Sequence, residues 1–194
     1  MSKGTETKQA IVDEALELAS VGGIGSLSIG ALAKTTGMSK SGLFAHFGSK
    51  EQLQLTVIRS AAERFVDMVV APSLKEPRGE PRVRALFERT MRQWEEALPG
   101  GCIFYALGAE LDDQPGPARD ALVETQNDFQ ETVERAAQIA IQEGHFREDL
   151  DVEQFAFEFA SITNAFHYAG RLLGRSDAPA RAEKAFNALL ERSH

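Results

Sequence analysis

The sequence predicts an all-α chain of about nine helices. A small N-terminal three-helix domain with a helix-turn-helix occupies 1–48, and a larger helical domain occupies 49–194. Three observations carry this. Apolar residues recur at three- and four-residue intervals along nearly the whole chain, with no alternating strand segment and no internal repeat. Serine or aspartate stands just before several of these stretches, and glycine or proline just after, as helix starts and stops require. Finally, 43% hydrophobic residues in a chain of 194 suffice for a packed core. No apolar run approaches the roughly 20 residues of a membrane span.

The elements follow in order. Ile11, Ala15, Leu18 and Ala19 mark the first helix, which Gly22-Gly23 ends. Ser28 is a good N-cap for a short second helix whose apolar face is Ile29, Leu32 and Ala33. Gly37 supplies the sharp turn, where a positive φ costs glycine least. Ser39 caps a third helix running to about His46. Ser49, with Gln52 three residues on, forms a capping box for a fourth helix to about residue 71. That helix carries Leu53, Val57, Ile58, Ala61, Phe65, Met68 and Val69. Pro72 and the stretch from Lys75 to Pro81 break it. Val83, Leu86, Phe87, Thr90 and Trp94 mark the next helix, stopped by Pro99-Gly-Gly101, and a short apolar helix covers 102–110. Pro115 and Pro117 open a long helix with Leu122, Phe129, Val133, Ala136, Ala140 and Ile141. Asp151 caps another, bearing Phe155, Phe159, Ile162, Phe166, Ala169 and Leu173. Pro179 opens the last, with Ala182, Phe186, Leu189 and Leu190.

The second and third helices, joined by a glycine turn, have the form that places a recognition helix in a major groove. The net charge of −8 looks wrong for such a role until it is divided. Residues 1–50 hold five lysines against four acids, and residues 51–194 hold 16 basic and 25 acidic residues. Within 34–50, Lys34, Lys40 and Lys50 stand with no acid at all. Local charge governs contact with phosphate, while an acidic remainder disfavours indiscriminate binding.

The run from Ala31 to Leu53, Ala-Leu-Ala-Lys-Thr-Thr-Gly-Met-Ser-Lys-Ser-Gly-Leu-Phe-Ala-His-Phe-Gly-Ser-Lys-Glu-Gln-Leu, resembles the TetR family of transcriptional regulators. The resemblance is specific over residues 8–55, and the rest of the chain matches in length and helical layout. It implies an N-terminal DNA-binding domain and a C-terminal helical domain that binds a small effector and dimerises. It also implies that Ser28, Ser39, Lys40, Ser41, His46 and Lys50 occupy positions that commonly meet DNA. Phe44 departs from the pattern, because the family often has a tyrosine there whose hydroxyl reaches a phosphate. Here the ring is left for packing or for a thymine methyl. Trp94, Phe104, Tyr105 and Phe129 lie on elements that the resemblance places around the effector cavity.

Physical chemistry divides the roles. Lys50 falls in the first turn of its helix, where free N–H groups and the dipole already favour a phosphate. Lys40 and Ser41 begin the recognition helix and are candidates for reading base edges. Ser28 and Ser39 are caps first. His46 fits either a phosphate contact or a structural hydrogen bond, and Leu43 and Phe47 belong to the core. His167, beside Tyr168 in an apolar stripe, fits a hydrogen bond inside a cavity or an ordinary core position. The aromatic stripe of Trp94, Phe104, Tyr105 and Phe129 fits core packing as well as a cavity wall.

Apart from the aromatics, few polar hooks lie between Leu53 and His167, so the expected effector is mainly hydrophobic and its cavity enclosed rather than charged. Phe155, Phe159, Ile162, Phe166, Leu173, Phe186, Leu189 and Leu190 exceed what a lone subunit could readily cover; they are the expected interface of a homodimer. Cys102 follows Pro-Gly-Gly and opens a helix, which fits a redox-sensing thiol or a small buried residue. One cysteine cannot form an internal disulfide, and a polar N-terminus is no secretory signal, so a cytoplasmic location is expected. No Gly-rich phosphate loop, nucleophile elbow or Cys/His metal spacing is present, so neither an enzyme, a cofactor nor a metal is expected. The reading of the whole is a dimeric repressor that a small effector releases from a palindromic operator in double-stranded DNA.

Overall fold

The computed structural model describes residues 3–96 and 98–194; Met1 and Ser2, at the head of the polar N-terminus, lie outside the described residues. Among the described residues the chain forms nine helices and no strand. They are α1 (Lys3–Gly22), α2 (Ile29–Thr36), α3 (Lys40–Phe47), α4 (Lys50–Phe65), α5 (Glu80–Glu96), α6 (Ile103–Leu111), α7 (Pro117–Gln142), α8 (Val152–His167) and α9 (Ala178–Ser193). A 3₁₀ turn, Ile24–Ser26, stands between α1 and α2. Two π turns, Val66–Val70 and Tyr168–Leu172, prolong α4 and α8, and the first runs on into Ala71–Ser73. No helix of the described residues is long and apolar enough to cross a membrane.

The helices group into two compact units. One comprises residues up to Arg64 together with 96–124, the other residues 65–95 and 125–194. In the first unit α1 packs on α2 and α6, and α2 packs on α3. Ile11, Leu16, Leu27, Leu32, Leu43 and Leu53 are buried at its centre. The expected caps form: Ser28 Oγ accepts from Ala31 N at 3.0 Å, Ser39 Oγ from Gly42 N at 3.1 Å and Ser49 Oγ from Gln52 N at 3.1 Å. Each satisfies one of the orphan donors of a helix start. The reciprocal half of the capping box at Ser49 is replaced, since its own N–H donates to Phe47 O at 2.8 Å. Gly37 ends α2 with φ 68°, the left-handed conformation its position demands. Gly100 meets the end of α1 so closely that a Cβ there would lie 1.8 Å from Ser20 O, while its N–H donates to Ser20 Oγ at 3.0 Å.

The second unit is built on aromatic rings. Phe87 stacks on Phe186 with centroids 3.9 Å apart, and Phe159 meets both edge-on at 5.8 and 5.9 Å. Phe129 lies edge-on to Phe65 at 4.8 Å and to Phe159 at 6.1 Å. Phe155 packs on Phe146 at 5.5 Å. Phe155, Phe159, Phe166, Phe186, Leu189 and Leu190 are all buried within the subunit. This corrects their expected place at a dimer interface, because a side chain enclosed by its own subunit has no area to offer a partner. Of the expected set only Ile162 and Leu173 keep accessible surface. The exposed apolar side chains of α8 and its π turn are instead Phe157, Tyr168 and Leu172, together with Leu173 just beyond.

The departures from the expected apolar stripes fall in or just after the two π turns, although Val69 keeps its buried place within the first. A π turn holds one more residue than an α turn and so rotates the residues after it. Met68, expected inside, is 50% exposed, and Leu173, expected to continue the stripe of Phe166, is 53% exposed.

Candidate functional site

The first candidate site is the outer face of α3. Leu43 and Phe47 are buried beneath it, whereas Lys40, Ser41, Phe44 and Ala45 are exposed at positions that share one side of a helix. The Lys40 stem runs beside the start of α2, with its Cε 3.7 Å from where a Cβ on Gly30 would stand. Ser41 Oγ lies 3.1 Å from Ser39 Oγ, so cap and reading position share one hydroxyl pair. Phe44 is 56% exposed, an apolar ring held out from a polar face. His46 is only half-buried and lies off this face, its ring 6.3 Å from that of Phe47. Ala45 takes the exposed place beside Ser41; the i, i+4 spacing from Ser41 was the signal for it.

Lys50 is exposed in the first turn of α4, as its sequence position requires, but its ammonium is already engaged. Nζ donates to Gly25 O at 3.1 Å. An ammonium has three donors, so this bond aims the group and leaves the others for a phosphate. The exposed Lys8 of α1 holds its Nζ 5.8 Å over the Phe47 ring.

No local pattern in the sequence hints at what holds Gly25. The 3₁₀ turn before α2 is gripped from two helices. From α6, the Glu110 carboxylate accepts Ile24 N at 2.7 Å and Gly25 N at 2.6 Å. From α4, Gln54 Nε2 donates to Ile24 O at 3.1 Å and Lys50 Nζ to Gly25 O. Donors and acceptors of two successive peptides are thus taken by three side chains, two of them charged. Glu110 lies 85 residues from its nearer partner in the chain, far outside the span of a helix cap or turn motif.

The second candidate site lies in the second unit. A cleft of about 760 Å³ is walled by Trp94 of α5, by Phe166 and His167 at the end of α8, and by Arg171, Arg175 and Ser176 beyond. The Trp94 indole lies nearly parallel to Phe166, at 15° and 6.4 Å, and edge-on to His167 at 5.6 Å. Burial, followed by the nearby charge of Arg171, holds the His167 imidazole below its ordinary pKa. Hydrogen bonds from Arg175 and then Arg181 bring the Asp177 carboxyl down to about 2. Trp94 and His167 therefore do come together. Phe129 sits in the ring cluster of the same unit, whereas Phe104 and Tyr105 belong to the first unit on α6. The charged lining corrects the expectation of an enclosed, uncharged cavity: both guanidiniums come after the stretch from Leu53 to His167 in which polar groups were sought. Cys102 is buried at the start of α6. Among the described residues no group of three or more His, Cys, Asp or Glu could hold a metal ion.

Residues 11–57 match the profile of the bacterial regulatory proteins of the tetR family, and residues 79–186 match the tetracyclin repressor-like C-terminal domain. The HTH-type transcriptional regulator SrpR of Pseudomonas putida is 20% identical over 170 residues, covering 87% of this chain and 77% of that protein. Among solved structures, a TetR transcriptional regulator from Chloroflexus aurantiacus J-10-FL is 26% identical with a TM-score of 0.87, covering 98% of this chain and 96% of that one. AibR, solved in complex with isovaleryl coenzyme A and operator DNA, shares the fold at 20% identity and a TM-score of 0.78, covering 96% of this chain and 99% of its own. The capped helix-turn-helix, the all-α architecture and the two matched profiles lead to one conclusion: this chain belongs to the tetR family of DNA-binding transcriptional regulators.

Proposed function

We propose that the protein is a repressor that binds a pseudo-palindromic operator as a homodimer in the cytoplasm and leaves it when a small effector binds. The observation that carries the DNA half is the exposed set Lys40, Ser41, Phe44 and Ala45 on a helix whose start is capped and whose back is buried. Residues 1–48 act as the reading head, and residues 49–194 bind the effector and dimerise. Lys40 and Ser41 read base edges, Phe44 packs against a thymine methyl, and Lys50 holds a phosphate at the first turn of α4. Ser28 and Ser39 set the helix starts that present these groups, with His46 at the border. A two-fold dimer spaces two such helices about 34–36 Å apart, one turn of DNA.

The partner docks on the exposed apolar side chains Phe157, Tyr168, Leu172 and Leu173. The cleft beside Trp94 and His167 takes the effector, with Phe129 in the ring cluster of the same unit. A ligand that prefers the subunit arrangement with the wrong helix spacing shifts the population off DNA, with a coupling of about 1–3 kcal/mol. Such a role needs no catalytic group. AibR, with both an acyl-thioester ligand and operator DNA in its structure, illustrates that one such chain accommodates the two.

The test is a titration of the protein's own upstream DNA at several salt concentrations. A saturable, salt-sensitive complex is expected. Lys50→Ala weakens specific and nonspecific binding alike and lowers the salt slope by about one. Lys40→Ala and Ser41→Ala change the ranking of operator variants instead. A uniform loss from all three substitutions removes the base-reading assignment, and absence of any saturable complex removes the repressor reading.

A further inference from the structure

The cleft beside Trp94 is lined by donors. Arg171 and Arg175 offer guanidinium N–H groups, which are donors only. Ser176 adds a hydroxyl and His167 a ring whose pKa burial and Arg171 hold below its ordinary value. No carboxylate is among the described residues that line the cleft. Asp177, the nearest acid in sequence, is turned to its own cations: Arg175 Nε and Nη2 donate to its two oxygens at 3.0 and 3.2 Å, and Arg181 Nε at 2.6 Å. That fork fixes the Arg175 side chain. Trp94 Nε1 is buried and meets no acceptor among the described residues, so the indole meets the cleft with its ring rather than its N–H.

A wall of this kind discriminates by charge. A cationic ligand would meet the Arg171 guanidinium, the charge of Arg175 being matched by Asp177, and a neutral polyol would need acceptors that the wall scarcely has. The Trp94 and Phe166 rings, nearly parallel, add an apolar shelf beside the donors. The volume of about 760 Å³ is that of an ordinary small-molecule site.

We infer that this cleft binds a small molecule made of an oxyanion on an apolar, flat body, with Arg171 gripping the oxyanion and the Trp94–Phe166 shelf carrying the body. Arg171 sits on the π turn after α8, where its five donors can serve an incoming oxygen pair in addition to any other partner. The inference rests on the proposed role of the cleft as the effector site and names the chemistry of that effector.

Trp94 is the chain's one tryptophan, so its fluorescence reports on this wall alone. The full-length protein is titrated with 4-phenylbutyrate, with phenyl phosphate and with neutral 4-phenylbutyramide, and Trp94 emission is monitored. Release of the upstream DNA is measured on the same samples. The expected result is that at least one of the two anions changes the emission saturably, with the amide at least ten-fold weaker. Which anion binds more tightly decides between a carboxylate and a phosphate head. Arg171→Gln is expected to weaken the anion at least ten-fold and leave the amide unchanged, while Arg171→Lys keeps part of the affinity. An amide that binds as tightly as the acid, an Arg171→Gln variant that binds the anion undiminished, or no response to either anion up to 10-millimolar concentrations (about the weakest affinity such a site would show) overturns the inference. The two readings fail separately. An anion that binds at Trp94 but leaves the DNA complex intact keeps the anion site and removes its role as effector site. An amide that binds and releases DNA keeps the effector role and removes the anion.

Discussion

The starts of α2, α3 and α4 and the last two turns of α5 treat polar groups in opposite ways. At the three helix starts, Ser28, Ser39 and Ser49 each close a hydrogen bond to an amide three residues on. The turn at Ile24–Gly25 has its donors taken by Glu110 and its carbonyls by Gln54 and Lys50. On α5, by contrast, Arg89 Nε, Thr90 Oγ1, Gln93 Oε1 and Trp94 Nε1 are buried with no partner among the described residues. The first region is finished in itself, so its geometry exists before DNA arrives. The second carries unused hydrogen-bonding capacity, the mark of a place where the protein is not at its own free-energy optimum. Substitutions should therefore cost stability in the first region and in the second be neutral or helpful.

Glu110→Ala gives the largest effect. It removes two charge-assisted bonds, each typically worth about 1.5–3 kcal/mol, and water recovers part of that at the exposed Gly25 amide. A loss of about 3 kcal/mol by urea unfolding is expected, with weaker DNA binding because Lys50 loses its fixed acceptor. A loss under about 0.5 kcal/mol would mean that the turn holds itself and the contrast between the regions is false. Ser39→Ala comes next, at about 1 kcal/mol for a lost N-cap, together with reduced operator affinity as α3 frays at its reading end. Of similar size but opposite sign is Thr90→Val. The residue is fully buried and its hydroxyl lacks a partner among the described residues, so without ligand the variant should gain about 1 kcal/mol. A destabilised Thr90→Val would place a hidden acceptor beside that hydroxyl.

The smallest effect lies in the pH dependence of stability. Burial and Arg171 hold the His167 pKa below its ordinary 6.5, so the unfolded chain takes the proton more readily than the folded one. The contribution of His167 is full above about pH 6.5 and declines as the pH falls through and below that value. His167→Gln should show the same urea midpoint change at pH 7.5 and 8.5, while wild type loses ground to it between pH 6.5 and 5. Parallel profiles down to pH 5 would show that the imidazole titrates normally.

The same contrast explains what was legible in the sequence. Caps and the Gly37 turn act over three or four residues, so the spelling from Ser28 to Gln52 contains both partners of every such bond. The grip of Glu110 joins α6 to a turn far back in the chain, and nothing near either end announces it. The cleft required Trp94 to meet residues 166–176, and its charged lining came from side chains beyond the last expected cavity residue. The rings of Phe155, Phe159 and Phe186 were assigned to a partner for another reason. Counting apolar rings cannot distinguish a subunit's own core from a shared one, and Phe87, Phe129 and Phe146 engage the rings assigned to a partner.

The π turn at Tyr168–Leu172 has a consequence measured in codons. Such a turn is an α-helix lengthened by a single residue, and in an α-helix one residue corresponds to about 100° of rotation. Deleting one codon there would restore the regular pitch and swing everything downstream around by that angle. Leu172 and Leu173, now on the surface, would turn toward a different face, and Arg171 and Arg175 would leave the wall that Trp94 stands on. The lining of the cleft and the exposed apolar patch thus hang on one triplet. An indel at this point changes both surfaces at once, which the replacement of single side chains does not.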